Sequence, residues 1–244
     1  MMQEQRYKEL DALRGIAVAL MILYHILFDM YYFYGLGFPV LDYEWRIFAK
    51  GIATLFLLLL GICFMISWHR SAKDSFPYAK YFERGMIILG GGILISFFTW
   101  FIAPEAYVKF GILHLIGVSV LLQPFFARFG IWNIAFGIIC TMIGIHFARM
   151  DTQSFLLFPF GIIYDSFASL DYYPLFPWFG TVLTGMGLGS IFYVPERYAA
   201  LKKLDALPYP NLLLGMGKYA LILYFLHQPL ILLALALTLG MPTR

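Results

Sequence analysis

Residues 11–29 read DALRGIAVALMILYHILFD. With its flanks the stretch is long and apolar enough to cross a bilayer, yet it holds Asp11, Arg14, His25 and Asp29. On an α-helix the step from Arg14 to His25 is about three turns, so the two lie within ~20° of one face and ~16 Å apart. Asp11 falls one turn before Arg14, Asp29 one turn after His25, and Tyr32 continues the stripe. The ionisable groups line one face, which must turn away from lipid.

The surrounding sequence has the same character. The 244 residues are 61% hydrophobic and 13% charged, against about 45–50% and about 25% in soluble domains. Apolar runs cover 12–34, 47–68, 84–103, 110–127, 130–148, 175–194 and 212–240, each near the ~20 residues a spanning helix needs. The expected fold is all-α: a polytopic transmembrane helix bundle of about seven spans, one domain over 1–244. The stretch 150–174 is expected to be re-entrant or interfacial, because FLLFPFGII is about half a span and is broken by Pro159 and Gly161. The first run is too long and too charged for a cleavable signal peptide and is expected to remain as the first span. Cys63 and Cys140 sit inside apolar runs, so no structural disulfide is expected.

Charge sets the orientation. With Arg6 and Lys8 in the cytoplasm, inside loops collect Arg70, Lys73, Lys80, Arg84, Arg128, Arg197, Lys202 and Lys203. Outside segments collect Asp42, Glu44, Glu105, Asp151, Asp165 and Asp171, with Arg46, Lys50, Lys109 and Arg149 among them. The Lys/Arg bias predicts a cytoplasmic N-terminus and 150–174 outside. An eighth crossing at 154–170 ranks second, since it moves Lys202 and Lys203 outside. GGG at 90–92 and GMGLG at 185–189 read as helix-packing surfaces. Neither these nor GMGK at 215–218 has the strand or lysine spacing of a nucleotide loop.

The stripe on the first helix reads as a transfer line. Arg14, with Asp11 beside it, can hold an anionic group arriving from the cytoplasm, and the inner bases, Arg84 and Lys218 among them, suit the phosphates of coenzyme A. His25, oriented by Asp29, can take a proton from an acceptor. His114 and His227 lie inside apolar runs at similar depth and are alternative bases, with Tyr224 and Gln228 in the sector of His227. His69 and His146 read as interfacial. Ligand spacing for a metal is absent, and none is expected. The outer segment supplies Asp165, Asp171, Tyr172, Tyr173 and Trp178, carboxylates and ring faces that suit a sugar-like acceptor.

Four blocks carry a family resemblance: LDALRGIAVALMILYHILFD (10–29), FGILHLIGVSVLL (110–122), SLDYYPLFPWFGTVLTGMGLG (169–189) and ALILYFLHQPL (220–230). Together they resemble the prokaryotic branch of the heparan-alpha-glucosaminide N-acetyltransferase catalytic-domain family. The first block also resembles the opening Arg-x10-His of the wider transmembrane acyltransferase superfamily. The resemblance implies acetyl-CoA or another acyl-CoA supplied from the cytoplasm, an acceptor met outside, and roles for Arg14 and His25 by position. In the lysosomal branch the position matching His25 is Asn-like and a histidine follows in the first luminal loop. This chain has no histidine from 26 to 68, so the role of His25 leans on the superfamily. The large luminal domain of that branch is absent, so heparan sulfate itself is not the expected acceptor.

The expectation is a multi-pass acyltransferase of a prokaryotic cell membrane, moving an acetyl or short acyl group from acyl-CoA to an extracytoplasmic glycan or amino-sugar-like acceptor. The bilayer is its surrounding, a homodimer is allowed, and nucleic acid is not a partner. The alternative is a transporter of protons or small polar solutes using the same histidines. Paired broken helices or inverted repeats would favour it, and neither stands out.

Overall fold

The computed structural model describes residues 7–37, 39–40, 42–71, 78–150, 152–193, 203–204 and 207–241. Of the charges weighed for topology, Arg6, Lys73, Asp151, Arg197 and Lys202 lie outside the described residues. The elements are α1 (Lys8–Tyr34), α2 (Tyr43–Ser71), α3 (Tyr78–Ile102), α4 (Ile112–Phe126), a 3-10 turn (Ala127–Trp132), α5 (Asn133–Phe147), a 3-10 turn (Phe158–Phe160), α6 (Leu175–Phe192), α7 (Asn211–Lys218) and α8 (Ala220–Leu239). The described residues hold no strand, only isolated bridges at Phe110–Tyr172 and Thr152–Tyr164. The chain divides within α2 into two compact units, Met1–Phe56 with Ala199–Arg244, and Leu57–Tyr198.

In the first unit, α1 ends where Gly35 turns left-handed (φ 65°) and its N–H caps the Tyr31 carbonyl. Helix α7 packs antiparallel to α1, with Gly15 against the Leu213 backbone and Gly217 against the Asp11 carbonyl. A side chain at 217 would overlap that oxygen, so the close approach requires glycine. Helix α8 runs parallel to α1: contacts pair 25 with 227, 29 with 228, and 34 with 240. The single run expected over 212–240 is therefore two helices, parted at Tyr219.

In the second unit, α2 and α6 are parallel (Leu58 on Gly185, Met65 on Gly189), while α3 and α4 are antiparallel (Gly85 on Leu121, Gly92 on His114). Helices α5 and α6 are also antiparallel (Ile134 on Gly187, Gly144 on Pro177). The GMGLG glycines thus face α2 and α5, the packing role expected of them, whereas Gly90 faces open space. Leu57, Met65, Tyr81, Ile88, Leu115, Leu183 and Met186 form the buried core of this unit. Outward positions such as Ile87, Phe98, Phe101 and Ile138 are large, apolar and exposed, as helices in hydrocarbon require.

Among the described residues six helical stretches are long and apolar enough to cross a membrane, and one of them is Ile112–Phe147. That stretch is broken at Gly130 (φ 51°, ψ −122°), and the Asn133 side chain donates to the carbonyls of Phe126 and Gly130 across the break. Phe126 and Phe136 rings lie 6.1 Å apart, where a straight helix would separate them by ~15 Å. The seven apolar runs are thus six by length, with the runs at 110–127 and 130–148 as the two arms of one bent stretch. Residues 152–174 contain one 3-10 turn and no span-length helix.

Candidate functional site

Helices α1 and α8 bring His25 and His227 together. Their ring centroids are 4.7 Å apart and the rings meet edge to face at 76°. His25 Nδ1 bonds the Met21 carbonyl at 2.9 Å, and His227 Nδ1 bonds the Tyr224 carbonyl at 2.7 Å. A carbonyl only accepts, so each Nδ1 carries the proton and each Nε2 keeps its lone pair. His227 is buried, and its Nε2 has no hydrogen-bond partner among the described residues. One turn beyond His25, Asp29 is wholly buried, and both its oxygens accept from Gln228 Nε2 at 2.9 Å. The sequence assigns Asp29 to the His25 ring. In the structure the helix carbonyl of Met21 fixes the His25 tautomer, and Asp29 instead ties α1 to α8.

Toward the start of α1, Arg14 Nη1 donates to Asp11 Oδ1 at 3.2 Å. Asp11 is buried and Arg14 half-buried. Gly217 touches the Asp11 backbone, which puts the exposed Lys218 at the same end of the unit. Arg14 and Asp11 therefore form a polar pair at the far end of α1 from His25, while the Lys218 ammonium lies over the neighbouring Tyr219 ring, 5.1 Å from its centroid.

In the other unit His114 is wired differently. Its Nδ1 accepts the Gly111 N–H at 3.2 Å, and its Nε2 lies 3.3 Å from Ser96 Oγ. Accepting at Nδ1 puts the proton on Nε2, which donates to Ser96, whose own hydroxyl bonds the Val108 carbonyl. Both nitrogens are engaged, Nδ1 in capping α4 and Nε2 on Ser96 of α3, in the tautomer opposite to that of His25 and His227. Asp171 joins the same helix end: its Oδ2 accepts the Ile112 N–H at 2.9 Å, where the helix dipole favours an acid. Burial nevertheless pushes its carboxyl up from 3.8 to about 6, the Ile112 bond opposing. Tyr172 donates to the Phe158 carbonyl at 2.7 Å, and burial raises its phenol to about 12. The Tyr173 and Trp178 rings meet tilted at 59°, centroids 5.0 Å apart. Lys109, its ammonium pKa lowered by burial, donates to the carbonyls of Glu105 and Ala168.

A family model for heparan-alpha-glucosaminide N-acetyltransferase, catalytic, matches residues 6–229. The chain belongs to that family. No curated protein and no solved structure matches it. Membership makes the chain part of a family of membrane acetyltransferases, in keeping with its several apolar helices.

Within this family member the expected site residues sort by unit. His25, Asp29 and His227 converge, Arg14 pairs with Asp11, and Lys218 lies near the same end of α1 without a hydrogen bond or ion pair to either among the described residues. His114 and Asp171 converge elsewhere, on the start of α4. Asp165 is exposed, as is Arg84 on α3, and neither joins these clusters. Among the described residues no group of three or more His, Cys, Asp or Glu is arranged to hold a metal ion. Neither Cys63 nor Cys140 forms a disulfide among the described residues. Gln228 is the residue the sequence leaves without a role. Its signal was present: a glutamine beside an intramembrane histidine, one residue before Pro229.

Proposed function

We propose that this protein transfers an acetyl or short acyl group from acyl-CoA on the cytoplasmic side to a hydroxyl or amine of an extracytoplasmic, glycan-like acceptor. The observation that carries the reading is the tautomer of the α1–α8 pair: His25 and His227 hold Nδ1–H on helix carbonyls and keep Nε2 basic. The donor supplies an activated thioester. Arg14 and Lys218 fit its phosphates, since a guanidinium and an exposed ammonium sit at one end of α1, ~16 Å along the helix from His25. That length suits an extended arm reaching from phosphate to thioester.

In this reading His25 Nε2 takes the proton from the acceptor N–H or O–H as its heteroatom bonds to the acyl carbon. The carbon–sulfur bond breaks, and His25 returns the proton to the departing thiolate. The proton count closes without an outside acid or base. Met21 holds the ring in the required tautomer, and the Asp29–Gln228 bond holds α1 against α8. The N-terminus lies in the cytoplasm of a cell membrane, as the Lys/Arg pattern supports.

The test is acetyl-CoA turnover by purified protein in detergent, where no transmembrane gradient exists. Turnover with amine or hydroxyl acceptors should fall 10²–10⁴-fold in His25→Ala. Wild-type protein that turns over no acceptor, yet moves solute into proteoliposomes, would replace the enzyme with a transporter.

A further inference from the structure

The α1–α8 site contains two buried acceptor atoms with no donor among the described residues, His227 Nε2 and Gln228 Oε1. Buried acceptors are ordinarily satisfied. The orientation of the Gln228 amide follows from its partner. A carboxylate only accepts, so the NH₂ end turns to Asp29 and Oε1 turns away from it. His227 and Gln228 are adjacent on α8 and both reach α1, one at His25 and the other at Asp29. The same patch therefore offers two basic Nε2 atoms and an amide oxygen, and its carboxylate is already bonded.

We infer that Gln228 is a specificity-determining residue: its Oε1 accepts a hydrogen bond from a second N–H or O–H of the acyl acceptor, next to the one that is acylated. The inference rests on the transferase reading above. A site needs one base to deprotonate the reacting group. A second unpartnered acceptor beside it has no use in that step, but it does select an acceptor with two neighbouring donors. An acceptor lacking the second donor leaves Oε1 buried and unpaired, which is how a polar pocket rejects such an analogue. Gln228 also anchors Asp29, so loss of the side chain alone would lower activity for a trivial reason. The discrimination between two acceptors separates these effects, because loss of the anchor lowers both rates together.

The experiment compares trans-2-aminocyclohexanol with cyclohexylamine as acceptors for purified protein and acetyl-CoA, following free thiol. Wild type should favour the amino alcohol by ~10-fold or more in kcat/KM. In Gln228→Met that ratio should collapse toward one. If this variant does not fold, the paired change Asp29→Leu with Gln228→Met removes both polar partners and serves in its place. Turnover of both amines at equal kcat/KM by wild type overturns the inference while leaving the transferase intact, as does a ratio unchanged in the variants. Turnover of neither amine overturns the transferase reading, and this inference with it.

Discussion

Replacing His114 should cost stability and spare turnover, the reverse of replacing His25. His114 is buried, with 6% of its surface exposed. Its ring caps the Gly111 N–H and donates to Ser96. Alanine removes a helix cap worth ~1 kcal/mol and a second buried hydrogen bond worth ~1 kcal/mol. It also leaves a small void where the ring packs against Phe110, centroids 5.5 Å apart, adding ~1 kcal/mol. The sum is about 3 kcal/mol of destabilisation. Glutamine is the decisive second substitution. At the third helical position a glutamine side chain reaches back to the N-cap N–H, so His114→Gln should recover much of the loss, although an amide cannot act as a base. The assay is thermal unfolding in detergent alongside turnover per folded molecule. The reasoning is refuted if His114→Gln is as stable as wild type but inactive, for then the imidazole itself does chemistry.

Three further outcomes follow from the packing. Asp171 binds its proton more tightly folded than unfolded, so its contribution to stability is full below about pH 4 and is lost as pH climbs through about 6, by at most about 3 kcal/mol; unfolding scans from pH 4 to 7 should show Asp171→Asn lacking that decline. Gly217→Ala should destabilise by ~1–3 kcal/mol because the added carbon meets the Asp11 carbonyl, whereas Gly215→Ala, facing open space, should not; equal melting temperatures would contradict the α1–α7 packing. Gln123 is 1% exposed, with neither amide atom bonded among the described residues, so Gln123→Met should raise stability by ~1–3 kcal/mol, and a fall in melting temperature would mean that the amide has a partner.

Period and composition made the helices legible, because an apolar run of span length leaves the backbone no option but to satisfy itself. Where the runs break was harder to see. Gly130 opens a run that hydropathy already separated from the one before, but Tyr219 lies inside a run, and nothing in GMGKYALIL marks it except Gly217, which lets α7 approach Asp11. The face shared by Arg14, His25 and Asp29 was legible from helical geometry alone. The partner of Asp29 was not, since pairing across 199 positions depends on tertiary contact. The sequence makes the three intramembrane histidines equivalent. They differ in what meets Nδ1, a helix carbonyl for His25 and His227 and the Gly111 N–H for His114, and residue type carries no record of that. Likewise Asp171 and Tyr172 looked like acceptor ligands, yet their side chains bond the start of α4 and the Phe158 carbonyl.

A spanning helix tolerates Asp11, Arg14, His25 and Asp29 because each has its own answer to the loss of water. Asp11 and Arg14 pair one turn apart, Asp29 takes both bonds from Gln228, and His25 returns one nitrogen to its own helix. These answers differ in kind. The first pair is i,i+3 on one helix, with Asp11 buried and Arg14 partly exposed, so the guanidinium keeps a side open to an anion while still bonded to Asp11. The second is interhelical and buried, and breaking it would strand a carboxylate, so it belongs to the frame. Between them lies the residue that is answered only by half, with Nδ1 held and Nε2 basic. His114, by contrast, has both nitrogens used. His25 and His227 share the other pattern, and they share it 4.7 Å apart. The unpartnered, buried Nε2 of His227, facing the His25 ring beside a braced carboxylate, is costly for packing alone, and that cost supports the proposal that the α1–α8 face is kept for chemistry.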